Sequence, residues 1–312
     1  MANKEKALEI LKKETSKLNK EYLKNSLRHE AELKKIYVES ANKIEGIVNA
    51  KLKVKITNNE KENLKAVIRA EINDVKTNSI KAIKTGIRTS LKNGVATSTE
   101  STKSMFTYLK VDKRFNPELI YASAHWTYTM LKGVEYILKN PIDGVTLSEH
   151  IWKYSDDAYR RIIQDINIGI NSGESINSIA ERLKSRLIFP ERDLRFEWMK
   201  DLHPGPERDL RFKWMKDLHP GPGVYRSSYK NALRLAKTEF HRAYLEGSQR
   251  WAQTKKWITD VIRREPGPAD DFDCASVKDQ PFKKGFEPGL FHPNCMGYNE
   301  YIPNLEMLGI EI

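Results

Sequence analysis

The stretch NALRLAKTEFHRAYLEGSQ, residues 231–249, decides how this chain is read. Leu233, Leu235, Ala236, Phe240, Tyr244 and Leu245 recur at helical spacing, so one face is apolar and the other is charged. The pattern extends over residues 224–256 and predicts a strong amphipathic helix. The segment that follows it, KWITDVIRR (256–264), reads as a strand, and beyond that the chain becomes rich in Pro and Gly. A helical body that gives way to a small loop-rich lobe is the organisation this junction implies.

Upstream, the same period dominates. Leu8, Leu11, Leu18, Tyr22, Leu33, Ile36, Ile44 and Ile47 predict one long helix over residues 4–48. KITNNEKENL breaks it, and Thr57 or Asn58 could cap the next helix. Leu64, Ile68, Val75, Ile80, Ile83, Ile87 and Leu91 predict a second helix over 60–93. NGVATSTESTKS (93–104), small and polar, reads as a loop. Residues 117–140 read as a helix stopped by Pro141. Ser148 can cap a helix carrying Ile151, Trp152, Tyr154, Tyr159 and Ile162. NSGES turns the chain into another helix over 175–187.

Residues 190–205 (PERDLRFEWMKDLHPG) recur as 206–221 with one change, Glu197 to Lys213. Two copies are too few for a solenoid, and such near-identity reads as a local duplication that bulges at the surface. It accounts for the paired His203 and His219 without a metal. Loop closure depends weakly on length, so deleting 206–221 is expected to change stability by about 1 kcal/mol or less. Thermal unfolding of the deletion variant checks this; a large loss would place the second copy in the core.

The expected fold is mainly α. A basic helical arm (1–110) precedes a helical middle domain (111–257) that holds the tandem insert 190–221, and a small α+β lobe (258–312) closes the chain. The formal charge is +12, and residues 1–110 carry +11 of it, with 24 Lys+Arg against 13 Asp+Glu. Residues 51–110 alone hold 13 basic and 5 acidic groups. Such a regional excess points to a polyanionic partner, or else to a solvated helix face. Lys51, Lys53, Lys55, Lys65, Arg69, Lys81, Lys84 and Arg88 are the candidate DNA-contacting residues. No apolar run approaches the roughly 18 residues of a membrane span, and the charged N-terminus lacks the apolar core of a secretory signal. Two cysteines make no disulfide scaffold, so a reducing cytoplasm is the expected setting.

Cys274 and Cys295 flank a turn-rich segment, and His292 lies three residues before the second. A structural zinc needs four ligands, usually Cys and His. Cys274, His292 and Cys295 supply three, and Asp273 or Asp271 the fourth. Two packed thiols and a disulfide are the alternatives. Catalysis by a Cys/His pair would need a base and an orienting group that spacing alone does not reveal. There is no Walker loop, no G-x-G-x-x-G and no H-E-x-x-H. Glu239, in mid-helix, reads as a buried hydrogen-bonding or ion-paired group.

These pieces, in this order, resemble the phage minor head proteins of the Mu F-like head morphogenesis family. Ala236-Lys237-Thr238-Glu239 matches the A-R-T-E helix with Lys for Arg, and Trp257 matches the strand that follows. Cys274 matches the first cysteine of a C-x-x-C pair whose second position is Val277. His292-Pro293-Asn294-Cys295 matches H-P-N-C-R-C, with Gly297 in place of the last cysteine. GVTLSEHIW (144–152) and GESINSIAERL (173–183) are also similar to the family, so the resemblance covers roughly residues 117–303. It implies a structural protein of few copies in the head interior, assembled in the host cytoplasm. Portal and other head proteins are its implied partners. Phage DNA would be touched without base reading, with no membrane and no catalysis of its own. A metal-dependent nuclease or transferase on the C-terminal lobe is the alternative.

Overall fold

The computed structural model describes residues 2–52, 57–111, 124–140, 146–188, 228–265, 272–287, 289 and 296–310. The chain is mainly α, with a small antiparallel sheet near its C-terminal end. The helices are α1 (Ala2–Lys51), α2 (Asn58–Leu109), α3 (Ala124–Lys139), α4 (Leu147–Ser172), α5 (Ile176–Leu187), α6 (Ser228–Gln253) and the short α7 (Phe272–Val277). The strands are β1 (Ile258–Arg264), β2 (Pro281–Lys283) and β3 (Tyr298–Pro303). The tandem insert lies outside the described residues.

Burial along the two long helices follows an 11-residue repeat. Leu11, Tyr22, Leu33 and Ile44 are buried, as are Thr15, Ser26, Tyr37 and Val48. In α2 the repeat runs Ile68, Ser79, Ser90, Ser101 and Ile72, Ile83, Gly94, Met105. Eleven residues over three turns is about 3.67 per turn, close to the natural α-helical period, so the seam holds one face with little supercoiling. The break between α1 and α2 has a capping box. Thr57 N–H donates to Glu60 Oε2 (2.8 Å), and Glu60 N–H donates to Thr57 Oγ1 (3.2 Å).

One expectation is corrected. Residues 93–104 are not a loop: α2 runs unbroken to Leu109. Their small side chains are buried, Thr97, Ser98, Thr99, Ser101 and Thr102 among them. They leave room for α6 to lie close against the α2 backbone. A methyl group on Gly94 would collide with the Tyr244 carbonyl, and one on Gly247 with the Leu91 carbonyl. Ser248 Oγ reaches Gly94 O at 3.0 Å and Tyr244 O at 3.1 Å across the same contact. Packing overrides the low helix propensity of such residues. The backbone of α4 begins at Leu147, one residue before Ser148. At α5 a cap is present, with Ser178 N–H donating to Ser175 Oγ (3.2 Å).

The chain divides into two compact units that do not follow chain order. One comprises residues 1–29, 83–146 and 236–312, and the other residues 30–82 and 147–235. They do not divide at 110/111 or 257/258, and both long helices contribute to each. In the first, Leu11, Val95, Phe106, Trp251, Trp257, Ile258, Val261 and Tyr301 form a core. The sheet order is β2-β1-β3, with both pairings antiparallel; Val261 lies opposite Phe282 on one side and Tyr301 on the other. Lys283 pairs with Asp260 at 2.5 Å across one ladder, and Arg264 with Glu300 at 3.0 Å across the other. In the second unit, Asp165 on α4 accepts from Arg186 on α5 at 2.7 and 3.1 Å. Lys184 reaches Glu45 at 2.9 Å, and the Tyr37 hydroxyl meets Ser228 Oγ at 3.5 Å.

Candidate functional site

The outward face of α2 carries several of the candidate basic residues. Helical geometry places Thr77, Asn78, Lys81, Lys84, Thr85, Arg88, Thr89 and Lys92 within one wedge, opposite the buried seam. No carboxylate lies between Asp74 and Glu100. Lys84, Arg88 and Lys92 follow one another at four-residue steps, about 6 Å apart along the axis. Among the described residues, no ion pair engages these three. They form a row of cations with hydroxyl groups between them.

The other candidates fare differently. Lys65 pairs with Glu62 at 2.7 Å. Arg69 pairs with Asp156 at 3.2 Å and stacks over Tyr159, its guanidinium 4.5 Å from the ring centroid. Lys51 is exposed at the end of α1, and Lys53 and Lys55 lie outside the described residues. Lys81 is exposed one turn before Lys84. Lys92 escapes the sequence reading because it adjoins the segment read as a loop; its four-residue step from Arg88 is the available signal.

A second cluster joins α6 to the sheet. His241 is 2% exposed, and its Nε2 lies 2.7 Å from the carbonyl oxygen of Gly297. The ring lies against Tyr22 and Tyr244, with centroids 6.0 and 5.8 Å away. Burial pushes its pKa down to about 4; the Gly297 carbonyl opposes the shift and the Arg263 charge adds to it. Arg263, fully buried, donates to Glu265 at 3.1 Å and lies near Asn299 at 3.4 Å. Gly297 packs beneath that guanidinium, where any Cβ would strike Arg263 and Glu265. Nothing in the sequence pattern marks His241 as part of this contact.

Two residues earlier on α6, Glu239 is 3% exposed. Its Oε1 lies 3.4 Å from Arg242 Nη1, and its Oε2 is buried with no hydrogen-bond partner among the described residues. Burial pushes the carboxyl up to about 7, against the pull of Arg242. Arg242 also donates to the Asn140 carbonyl at 2.9 Å, holding the end of α3. The buried ion pair expected for Glu239 is thus present, and its partner is Arg242. A buried carboxyl beside one guanidinium can exchange a proton near neutrality.

The proposed zinc ligands His292 and Cys295, and Asp271, lie outside the described residues. Cys274 and Asp273 fall within α7, on the backbone of which the structure bears. No group of three His, Cys, Asp or Glu side chains among the described residues is arranged to hold a metal ion. Nor, among them, is any helix long and apolar enough to cross a membrane. No family model, curated protein or solved structure matches this chain.

Proposed function

We propose that this chain is a minor head protein of a tailed phage or prophage, acting structurally beside the portal and touching packaged DNA without reading bases. The observation that carries the DNA contact is the outward face of α2 between Asp74 and Glu100, a stretch without carboxylates in which Lys84, Arg88 and Lys92 stand in register. Flexible cations at such steps engage phosphates through charge alone, and the affinity comes from counterion release. The head assignment rests on the order of the A-K-T-E helix, Trp257, Cys274 and His292-Pro293-Asn294-Cys295. In this reading the buried polar contacts of His241 and Arg263 serve to hold α6 on the sheet.

The full chain is expected to bind unrelated duplexes equally in low salt and to weaken steeply toward physiological salt. Replacing Lys84, Arg88 and Lys92 together with Gln removes up to three phosphate contacts. The slope of log affinity against log salt should then fall by about 2–3. Titration of labelled duplexes at several salt concentrations measures both. Absent binding in low salt, or salt-insensitive binding, would reject the DNA contact. The head assignment is tested separately: the chain should be present in purified particles and be recovered with the portal.

A further inference from the structure

The cations of α2 stand on one flank of its outward face. At about 100° per residue, Lys84, Arg88 and Lys92 fall within about 80° of the helix circumference. Arg88 and Lys92 are exposed and Lys84 is half-buried. Thr85, Thr89 and Asn93 occupy the next 80° or so, which makes the second flank uncharged. The Thr89 hydroxyl on that flank is turned back onto the helix, donating to the Thr85 carbonyl at 3.1 Å. Glu100, the first carboxylate downstream, falls on the same second flank and is exposed. The remaining half of the circumference is used for packing: Gly86, Ile87, Ser90, Leu91, Gly94 and Val95 are buried. At Gly94 the backbone of α6 lies directly against it.

This asymmetry bears on how many strands the helix can meet. A helix seated in the major groove runs between two strands, so phosphates stand along both of its flanks. Cations on both flanks would then be attractive. Here one flank attracts phosphate, and the other is neutral and ends in a carboxylate that repels it. The four-residue step of the cations, about 6 Å along the axis, lets side chains as long as Lys and Arg reach neighbouring phosphates of one backbone.

We propose that α2 follows the backbone of a single DNA strand, with Lys84, Arg88 and Lys92 on neighbouring phosphates. Single-stranded DNA is then held through the same three cations as a duplex. This deepens the DNA contact proposed above and rests on it. A duplex offers the helix one strand at a time, and the second strand adds only to the local charge density.

The test compares the full chain with its Lys84→Gln/Arg88→Gln/Lys92→Gln variant. Each is titrated at several salt concentrations with a labelled duplex and with a labelled thymidine oligonucleotide of equal length, which cannot pair with itself. A phosphate contact contributes about 0.9 to the slope of log affinity against log salt on duplex and about 0.7 on a single strand. The variant should therefore lose about 2.7 on the duplex and about 2.1 on the single strand. The double variant Arg88→Gln/Lys92→Gln, confined to exposed positions, repeats the comparison with expected losses of about 1.8 and 1.4. Equal thermal midpoints for all three proteins show that the fold is kept. If the triple variant loses about 1 or less on the single strand while losing 2–3 on the duplex, the row straddles two strands. That result would overturn this inference and leave the DNA contact standing. Unchanged slopes on both ligands, or no binding to either in low salt, would remove the DNA contact of α2 and this inference with it.

Discussion

Gly94→Ala is expected to destabilise the protein by about 2–4 kcal/mol, although alanine is the better helix former. The added methyl meets the Tyr244 carbonyl, a backbone group of α6 that cannot swing aside. Either α2 and α6 separate, losing the packing of Leu91, Tyr244 and Ser248, or the helix distorts; overpacking of this kind typically costs about 1–3 kcal/mol and sometimes more. Gly247→Ala should behave alike, because its methyl meets the Leu91 carbonyl. Gly46 provides the opposite sign. It is a helical glycine of α1 with nothing within 4 Å of the position a methyl would take, so Gly46→Ala should stabilise by about 0.5–1 kcal/mol. Denaturant unfolding of the three variants measures the contrast. Stabilisation by Gly94→Ala comparable to that at Gly46 would mean that the close crossing of α2 and α6 does not exist in solution.

Glu239→Gln is expected to stabilise the protein by about 1–3 kcal/mol at pH 8 and to have little effect near pH 4.5. The sign follows from the native carboxyl being pushed up to about 7 from an ordinary 4.5. Between those values the native state holds a proton that the unfolded chain has released. The stabilisation from this group is therefore complete below about 4.5 and lost as pH rises through about 7. His241 runs the other way. Its native pKa near 4 lies below the ordinary 6.5, so its contribution is complete above 6.5 and lost as pH falls through about 4. Over pH 4.5–6.5 the two slopes oppose each other, which masks both in the native sequence. The glutamine variant should uncover the histidine slope, with stability rising from pH 4 to 6.5. Unfolding free energies of both proteins at pH 4.5, 6.5 and 8 check this. An equal difference between them at all three values would mean that Glu239 is ionised throughout and held by Arg242.

The residues of the candidate DNA face are legible in the sequence only in part. Lys84 and Arg88 are readable because charge and helical period both point at them, and their outward placement follows from the seam of Ile83, Ile87 and Leu91 opposite. Lys65 and Arg69 share the same composition but meet carboxylates, Glu62 on the same helix and Asp156 on α4. The first partner lies three residues away in sequence. The second lies on a helix nearly ninety residues downstream, and only folding brings it there. The zinc expectation falls on His292 and Cys295, outside the described residues.

By itself, the sequence determined the helices that carry strong apolar periodicity, the break with a cap at Thr57 or Asn58, the turn before α5 and the change to a strand after Trp257. These follow from local physics: side-chain period, capping oxygens and turn residues act within a few positions. The tertiary structure alone decided that residues 93–104 are helical, that a Cβ at Gly297 would meet the Arg263 and Glu265 side chains, that His241 is buried, and that burial shifts it and Glu239 in opposite directions. It also decided that the compact units interleave along the chain. Each of these depends on which distant backbone comes within contact distance. Small polar residues such as those from Asn93 to Ser104 carry no preference strong enough to reveal that neighbour; the helix exists there because α6 packs on it.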